Sequence, residues 1–279
     1  MRRRPTFLIT VLCFGFAFLY VPILSMIVYS LNNSRLATVW GGLSTKWYVS
    51  LLNNPQVGRA QVLSLEIALI SASIATILGT MSGIALARFQ RFRGRTLFSG
   101  LVTAPLIMPE VNTGISSLIF FILMAQIIGW PSTRGFATVT LAHITFSMVF
   151  VTTIVQSRML SADRAIEEAA IDLGSRPWQV KCDVTLPVIA PAILSGWLLA
   201  FTISMDAVVI TNFTTGPGTT TLPILIWSKV KLGVTPDINV LATLTVLVVG
   251  SCVFAAVWFM TRTEERREAE RRLAYRNNE

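Results

Sequence analysis

Six apolar runs, each long enough to cross a bilayer as a helix, constrain what this chain can become more than any other feature. They lie at 7–31, 62–87, 97–128, 136–156, 188–211 and 238–260. A helix rises about 1.5 Å per residue, so roughly 20 apolar residues cover a hydrocarbon core of about 30 Å. In lipid the backbone must satisfy its own hydrogen bonds, which a helix does within one segment. With 53% of its 279 residues hydrophobic and 13% charged, the chain reads as an all-α integral membrane protein with six transmembrane helices and no large soluble domain. Three regions follow: 1–61, the first span and a loop; 62–260, the membrane core, with a charged interruption at 161–187; and 261–279, a basic tail.

Basic residues near span ends are retained on the cytoplasmic side, so their distribution predicts orientation. Placing both termini in the cytoplasm puts 17 of the 23 Lys and Arg inside: Arg2 to Arg4, "RFQRFRGR", Arg158 to Lys181, and Arg262 to Arg276. The outer loops keep six: Arg35, Lys46, Arg59, Arg134, Lys229 and Lys231. Insertion into a lipid bilayer thus accounts for the formal charge of +9 without a nucleic-acid partner. The N-terminus begins like a secretory signal, but its apolar run continues to Leu31 with no Ala-x-Ala site, which predicts an uncleaved span.

Chemistry inside the membrane would need a constellation such as His-Glu-x-x-His, or a serine paired with a histidine. The sequence has one histidine, His143, beside Thr145 and Ser147, and no such spacing. A proton relay is one reading of His143; a neutral ring bonded to a neighbouring helix is the simpler one, and no role is assigned to it. No G-x-x-x-x-G-K-[ST] loop is present, so any ATP that drives this protein is bound by another chain. Cys13, Cys182 and Cys252 show neither a CxxC spacing nor an even set on an oxidising side, so no disulfide, metal site or cofactor is expected. The chain does not read as an enzyme.

Carboxylates at membrane depth are costly unless they face a cavity or a partner. Three qualify: Glu66 near the outer end of the second span, Glu110 and Asp206. On continuous helices, Glu110 lies roughly 20 Å and Asp206 roughly 27 Å from the inner boundary. They suit a pathway for a cationic solute, and equally suit helix ends and intramembrane hydrogen bonds. Pro105 and Pro109 are expected to kink the third span beside Glu110. Gly79 and Gly83, with Ser71, Ala72 and Ala75 upstream, form a small-residue face expected to pack within the chain.

The interruption reads "IEEAAIDLGSRPWQVKCDVTLP" over 166–187. Two short helices are expected, the first capped by Ser161 and stopped by Gly174, the second starting at Ser175 and Pro177 and joined to the fifth span at Pro187. Ile166, Ala169, Ala170 and Leu173 share one stripe. Spacing alone does not separate docking into a partner from packing against the spans.

Glu168-Ala169-Ala170, three residues, Gly174, nine residues, then Val184-Thr185-Leu186-Pro187 resembles the EAA motif of ABC importer permeases, with Val184 where isoleucine is usual. Across most of the chain, "VYSLNNSRLATVWGGLSTKWY", "TAPLIMPEVNTG", "DAVVITNFTTGPGTTTLP" and "GVTPDINVLATL" resemble permeases of spermidine and putrescine importers, the putrescine branch above all. The resemblance implies a type I ABC importer permease fold and ATP-driven import of a polyamine. It also implies three kinds of partner: cytoplasmic ATPase subunits, a second homologous permease subunit and a periplasmic solute-binding protein.

Carried over by position, Glu168, Ala169, Ala170, Gly174, Leu186 and Pro187 couple the chain to the ATPase. Asp206, Glu110 and Glu66 are candidates for the translocation pathway. Trp47, Tyr48, Gly216 and Pro217 are candidates for receptor contact. Polyamine permeases often carry two consecutive acids where this chain has Asp206-Ala207. The missing acid leaves a second solute open, an omega-amino acid or other amine, and the alternative from a different class is a stand-alone secondary carrier, which would not need the hairpin.

Overall fold

The computed structural model describes residues 6–34, 36, 39–89, 91–232 and 236–276. The orientation signals at Arg2 to Arg4 and at Arg35, and the last three residues of the tail, lie outside them. Among the described residues all regular structure is helical apart from an isolated bridge between Asn32 and Leu43. Six helices are long and apolar enough to span a membrane: Ile9–Ser30, Pro55–Arg88, Glu110–Ile128, Phe136–Ser161, Pro177–Asp206 and Pro236–Ala255.

The contacts divide the chain into two units. The smaller joins Met1–Arg59 to Leu225–Ser251. In it, α1 (Thr6–Ser30) leads into a loop organised by the buried Asn32, whose side chain donates to Val39 O at 2.6 Å and accepts from the amides of Ser34 and Gly41. The short α2 (Lys46–Leu52) is tied to the end of α1 by a 2.6 Å bond between Tyr48 Oη and Ser30 Oγ. Later in the chain, Lys229 of α11 (Leu222–Leu232) pairs with Asp237 at the start of α12 (Pro236–Arg276).

The larger unit joins Ala60–Ile224 to Cys252–Glu279. Its centre is α6 (Phe136–Ser161), which packs along α9 (Leu186–Asp206) and against α3 (Pro55–Arg88). Small residues set the distances. A methyl group on Gly79 would come within 2.7 Å of Val151 Cβ, and one on Gly83 within 3.0 Å of Thr152 O. A methyl on Gly196 of α9 would meet Cγ1 of the same Val151 at 3.1 Å. Without a hydrophobic driving force between helices in lipid, such close approach supplies the dispersion contact that holds them. The glycine face expected on α3 therefore packs within the chain, with Ser71, Ala72 and Ala75 fully buried beside it.

Two spans differ from expectation. The run at 97–128 is two helices, α4 (Arg95–Ile107) and α5 (Glu110–Ile128), separated by Met108 and Pro109 in extended conformation. Pro109 has no amide to donate and drives the residue before it away from helical angles, so the chain breaks where a kink was expected. Pro105 stays inside α4. The run at 188–211 ends at Asp206; Ala207 turns to ψ 94°, and the chain resumes as α10 (Val209–Thr214).

Candidate functional site

The charged interruption folds as a hairpin. Asp163, not Ser161, caps its first helix, α7 (Arg164–Asp172): its side chain accepts the Ala165 amide at 2.9 Å, while Ser161 is the last residue of α6. At the other end Gly174 has φ +87°. Its amide donates to Ile171 O at 2.8 Å and that of Ser175 to Ala170 O at 3.0 Å, the paired bonds of a left-handed helix stop. The spacing from Ala170 to Gly174 thus has a local cause: one residue supplies the carbonyl that the turn made by the other satisfies.

Beyond the turn, α8 (Pro177–Gln179) runs without interruption into a π-helical segment, Val180–Thr185, and on into α9. The junction expected at Pro187 is absent. Proline lacks the amide that would bond four residues back and its ring crowds that carbonyl; a widened turn, with the Leu186 amide donating to Lys181 O, lets the helix pass. The second arm of the hairpin and the fifth span are consequently one helical rod.

A second connection was missed in the sequence. Glu167 Oε1 accepts from Arg88 at the end of α3 at 2.8 Å and from the Thr185 hydroxyl at 2.9 Å. Both members of the ion pair are largely shielded. Arg164 adds a bond to Ala87 O at 3.4 Å. In the sequence Arg88 belongs to a topogenic cluster and Glu167 is simply polar. The available signal was their placement at the two ends of loops bound for the same membrane face.

With its underside latched, the hairpin leaves its apolar side bare. Leu173 is 87% exposed, and Ile166 and Ile171 are each about half exposed. Glu168 and Ala169 are exposed beside them, as are Leu186 and Pro187, while Ala170 is half-buried. On the isolated chain this stripe is largely exposed, with Ile166 at its edge lining a small cleft beside Val188 and Ile189 of α9.

Of the three acids, all are exposed on the isolated chain, and none forms an ion pair among the described residues. Their settings differ. Glu110 is the first residue of α5, where the positive end of the helix dipole offsets a carboxylate. The depth derived for it presumed a continuous helix from Leu97, which the break at 108–109 removes. Asp206 is the last residue of α9, where carbonyls already gather negative charge. Ala207, in place of the second acid, is 7% exposed. Glu66 lies on α3 away from either terminus.

The remaining candidates separate into buried and bare. Tyr48 is half-buried on its bond to Ser30, and Trp47 is half-buried under Lys46 Nζ, 5.0 Å from its ring centroid. Gly216 touches Arg134 so closely that a methyl would fall 2.0 Å from Arg134 O. Pro217 is exposed at the head of a turn in which Gly218 has φ +79° and the Thr219 amide donates to Gly216 O. Gly216 is thus a packing glycine, and Pro217 the residue it presents.

Residues 75–268 match the family model of the binding-protein-dependent transport system inner membrane component. The chain is 50% identical over 264 residues to the putrescine transport system permease protein PotI of Escherichia coli strain K12, covering 95% of this chain and 94% of that one. To the spermidine/putrescine transport system permease protein PotC of the same strain it is 41% identical over 229 residues, 82% of this chain and 84% of that one. A bacterial ABC transporter involved in the import of the acidic polysaccharide alginate shares the fold, with a TM-score of 0.70 at 15% identity over 92% of this chain and 98% of that one. The MetNI methionine ABC transporter does so at 0.63 and 16% over 79% and 99%. A six-span helical chain with the EAA spacing, matched over 75–268, belongs to the family of binding-protein-dependent transport system inner membrane components.

Proposed function

We propose that this chain is one permease subunit of an ABC importer that moves a polyamine, putrescine above all, across the inner membrane by ATP-driven alternating access. The observation that carries this reading is 50% identity over 95% of the chain to a putrescine permease. Both termini face the cytoplasm, 62–260 forms the pathway wall with a second permease, and 261–279 is a basic cytoplasmic tail. A periplasmic binding protein delivers the solute, and separate ATPase subunits bind the nucleotide.

The hairpin is the coupling element. Its bare stripe at Ile166, Ala169 and Leu173 is shaped to enter an ATPase groove, with Glu168 at the rim. Ala170 and Gly174 hold the turn, and Leu186 and Pro187 lie where the rod enters the membrane. ATP-driven closure of the ATPases would move α9 as a lever, because the hairpin's second arm runs into it without a joint and the Thr185–Glu167 bond ties the docking arm to that second arm.

Asp206 is the pathway residue the geometry favours. A carboxylate at a helix C-terminus adds charge where the dipole is already negative, which costs stability but makes a site for a cation. Glu110, offset by its helix N-terminus, and Glu66 contribute less. Pro217, with Trp47 and Tyr48, is directed at the receptor. The burial of Ala207 removes the missing acid as an argument for an omega-amino acid, since an acid there would not face the pathway.

The test is uptake of labelled putrescine, spermidine and an omega-amino acid by the assembled transporter. Putrescine uptake that is lost in Gly174→Asp and Glu168→Lys, with membrane insertion intact, is the expected result. Normal uptake in both variants would remove the hairpin from the mechanism, and preference for the omega-amino acid would replace the solute.

A further inference from the structure

A chain of buried hydrogen bonds crosses four helices of the larger unit and ends at the interruption beside Asp206. Ser71 Oγ of α3 lies 3.0 Å from Ser204 Oγ of α9. Ser204 Oγ lies 2.7 Å from His143 Nδ1 on α6, and His143 Nε2 lies 2.8 Å from Thr211 Oγ1 on α10. Thr211 Oγ1 donates to Ala207 O at 2.5 Å. His143 is 3% exposed, and Ser71 and Thr211 are fully buried.

Donor counting gives the chain a direction. Thr211 has one hydroxyl proton and commits it to Ala207 O, so His143 must donate from Nε2. A neutral ring then accepts at Nδ1 from Ser204, which leaves Ser71 to donate to Ser204 at 3.0 Å, sharing its one proton with Ala68 O at 3.3 Å. Every hydroxyl in the series is used, and the last acceptor is the carbonyl of the residue that follows Asp206. His143 reaches Ser204 before the break and Thr211 after it, one nitrogen on each side.

Nothing in the local sequence requires a break here. Ala207 and Val208 are neither proline nor glycine, and either can continue a helix. We infer that His143 is a positioning residue for transport: by clamping α9 to α10 across Ala207, it holds the helix end at which Asp206 is presented. The inference rests on the reading of Asp206 as a pathway residue for its consequence in transport, but not for the clamp itself.

The two are tested separately in the assembled transporter, with Cys13, Cys182 and Cys252 replaced by serine. Asp206→Cys is labelled with a charged thiol reagent, once with His143 and once each with His143→Phe, His143→Gln and Thr211→Val. An amide carries a donor and an acceptor at about the separation of the ring nitrogens, so His143→Gln should keep the labelling rate within about threefold. His143→Phe and Thr211→Val should each shift it by about tenfold, because each strips a partner from a buried polar chain. Thr211→Val conserves shape and keeps the experiment readable if His143→Phe assembles poorly.

Putrescine uptake is measured in the same His143 and Thr211 variants with Asp206 intact. A rise in half-saturating concentration of about tenfold in His143→Phe, restored by Gln, completes the expected result. Labelling that is unchanged in both His143→Phe and Thr211→Val would overturn the clamp. Shifted labelling with unchanged uptake would leave the clamp standing and instead remove Asp206 from the pathway.

Discussion

Glu110 and Asp206 both stand where an apolar run is interrupted, and the two interruptions are made differently. At 108–109 the cause is local. Pro109 lacks an amide and holds Met108 at ψ 138°, so the break would form in almost any surroundings. At 207–208 the cause is tertiary: no proline or glycine intervenes, and His143 of α6 bonds Ser204 before the turn and Thr211 after it, while Thr211 closes back on Ala207 O. The charges follow the same division. Glu110 opens a helix and is offset by its dipole, whereas Asp206 closes one and opposes it. A locally written break with a compensated acid is architecture. A break maintained by contacts, with an uncompensated acid, is where stability has been given up for function.

The largest effect is expected at Asp206. Asp206→Asn should lower putrescine uptake by about tenfold or more, because an amide retains the shape and loses the attraction for an ammonium group. The assembled complex should be recovered in normal amount, and removing a charge from a helix C-terminus should raise its melting temperature slightly. Uptake at the unmodified rate would make Asp206 no different in kind from Glu110.

Ala207→Asp restores the acid that polyamine permeases often carry. Ala207 is 7% exposed, and its backbone carbonyl accepts the last bond of the buried polar chain. An unpaired carboxylate there costs about 3–5 kcal/mol, enough to reduce the yield of assembled protein by about tenfold. Normal yield with faster putrescine uptake would show that position 207 faces the pathway.

The same two breaks mark how far the sequence could be read. Span number and helical class were legible because apolar length is a local property. So were the Gly79 and Gly83 face and the left-handed stop at Gly174, since each residue type answers a steric demand of its own position. The hairpin's spacing was legible through resemblance, and the Schellman-type bonds from Gly174 and Ser175 supply its physical cause. The break at Ala207 was not legible, because what makes it lies 61 residues away from Ser204 on another helix. The latch from Glu167 to Arg88 spans 79 positions and escaped for the same reason. His143 could be bounded by elimination but not given partners, and Ala207 was weighed as a missing charge because its burial depends on its neighbours.

Smaller effects belong to the compensated acids. Glu110→Gln removes a charge that a helix N-terminus stabilises, worth about 0.3–1 kcal/mol. Uptake should fall by no more than about threefold, with the loss tracking stability rather than half-saturation. Glu66→Gln, on an uninterrupted helix, should do less. An increase in half-saturating putrescine in Glu110→Gln matching that in Asp206→Asn would place both acids on the pathway and erase the distinction.

The finest distinction lies in the 108–109 break itself. Pro109→Ala returns an amide and frees Met108 from the steric push of a following proline, so α4 and α5 gain the option of running through. Met108 is 49% exposed, so Met108→Cys in a background free of other cysteines reports the change. Labelling should slow by about threefold when Pro109→Ala is added, as backbone that was extended becomes helical. Uptake should stay within about twofold, because the acid this break presents, Glu110, contributes less to the pathway than Asp206. Unchanged labelling would mean that neighbouring helices hold this break too, and the proline would then be its consequence rather than its cause.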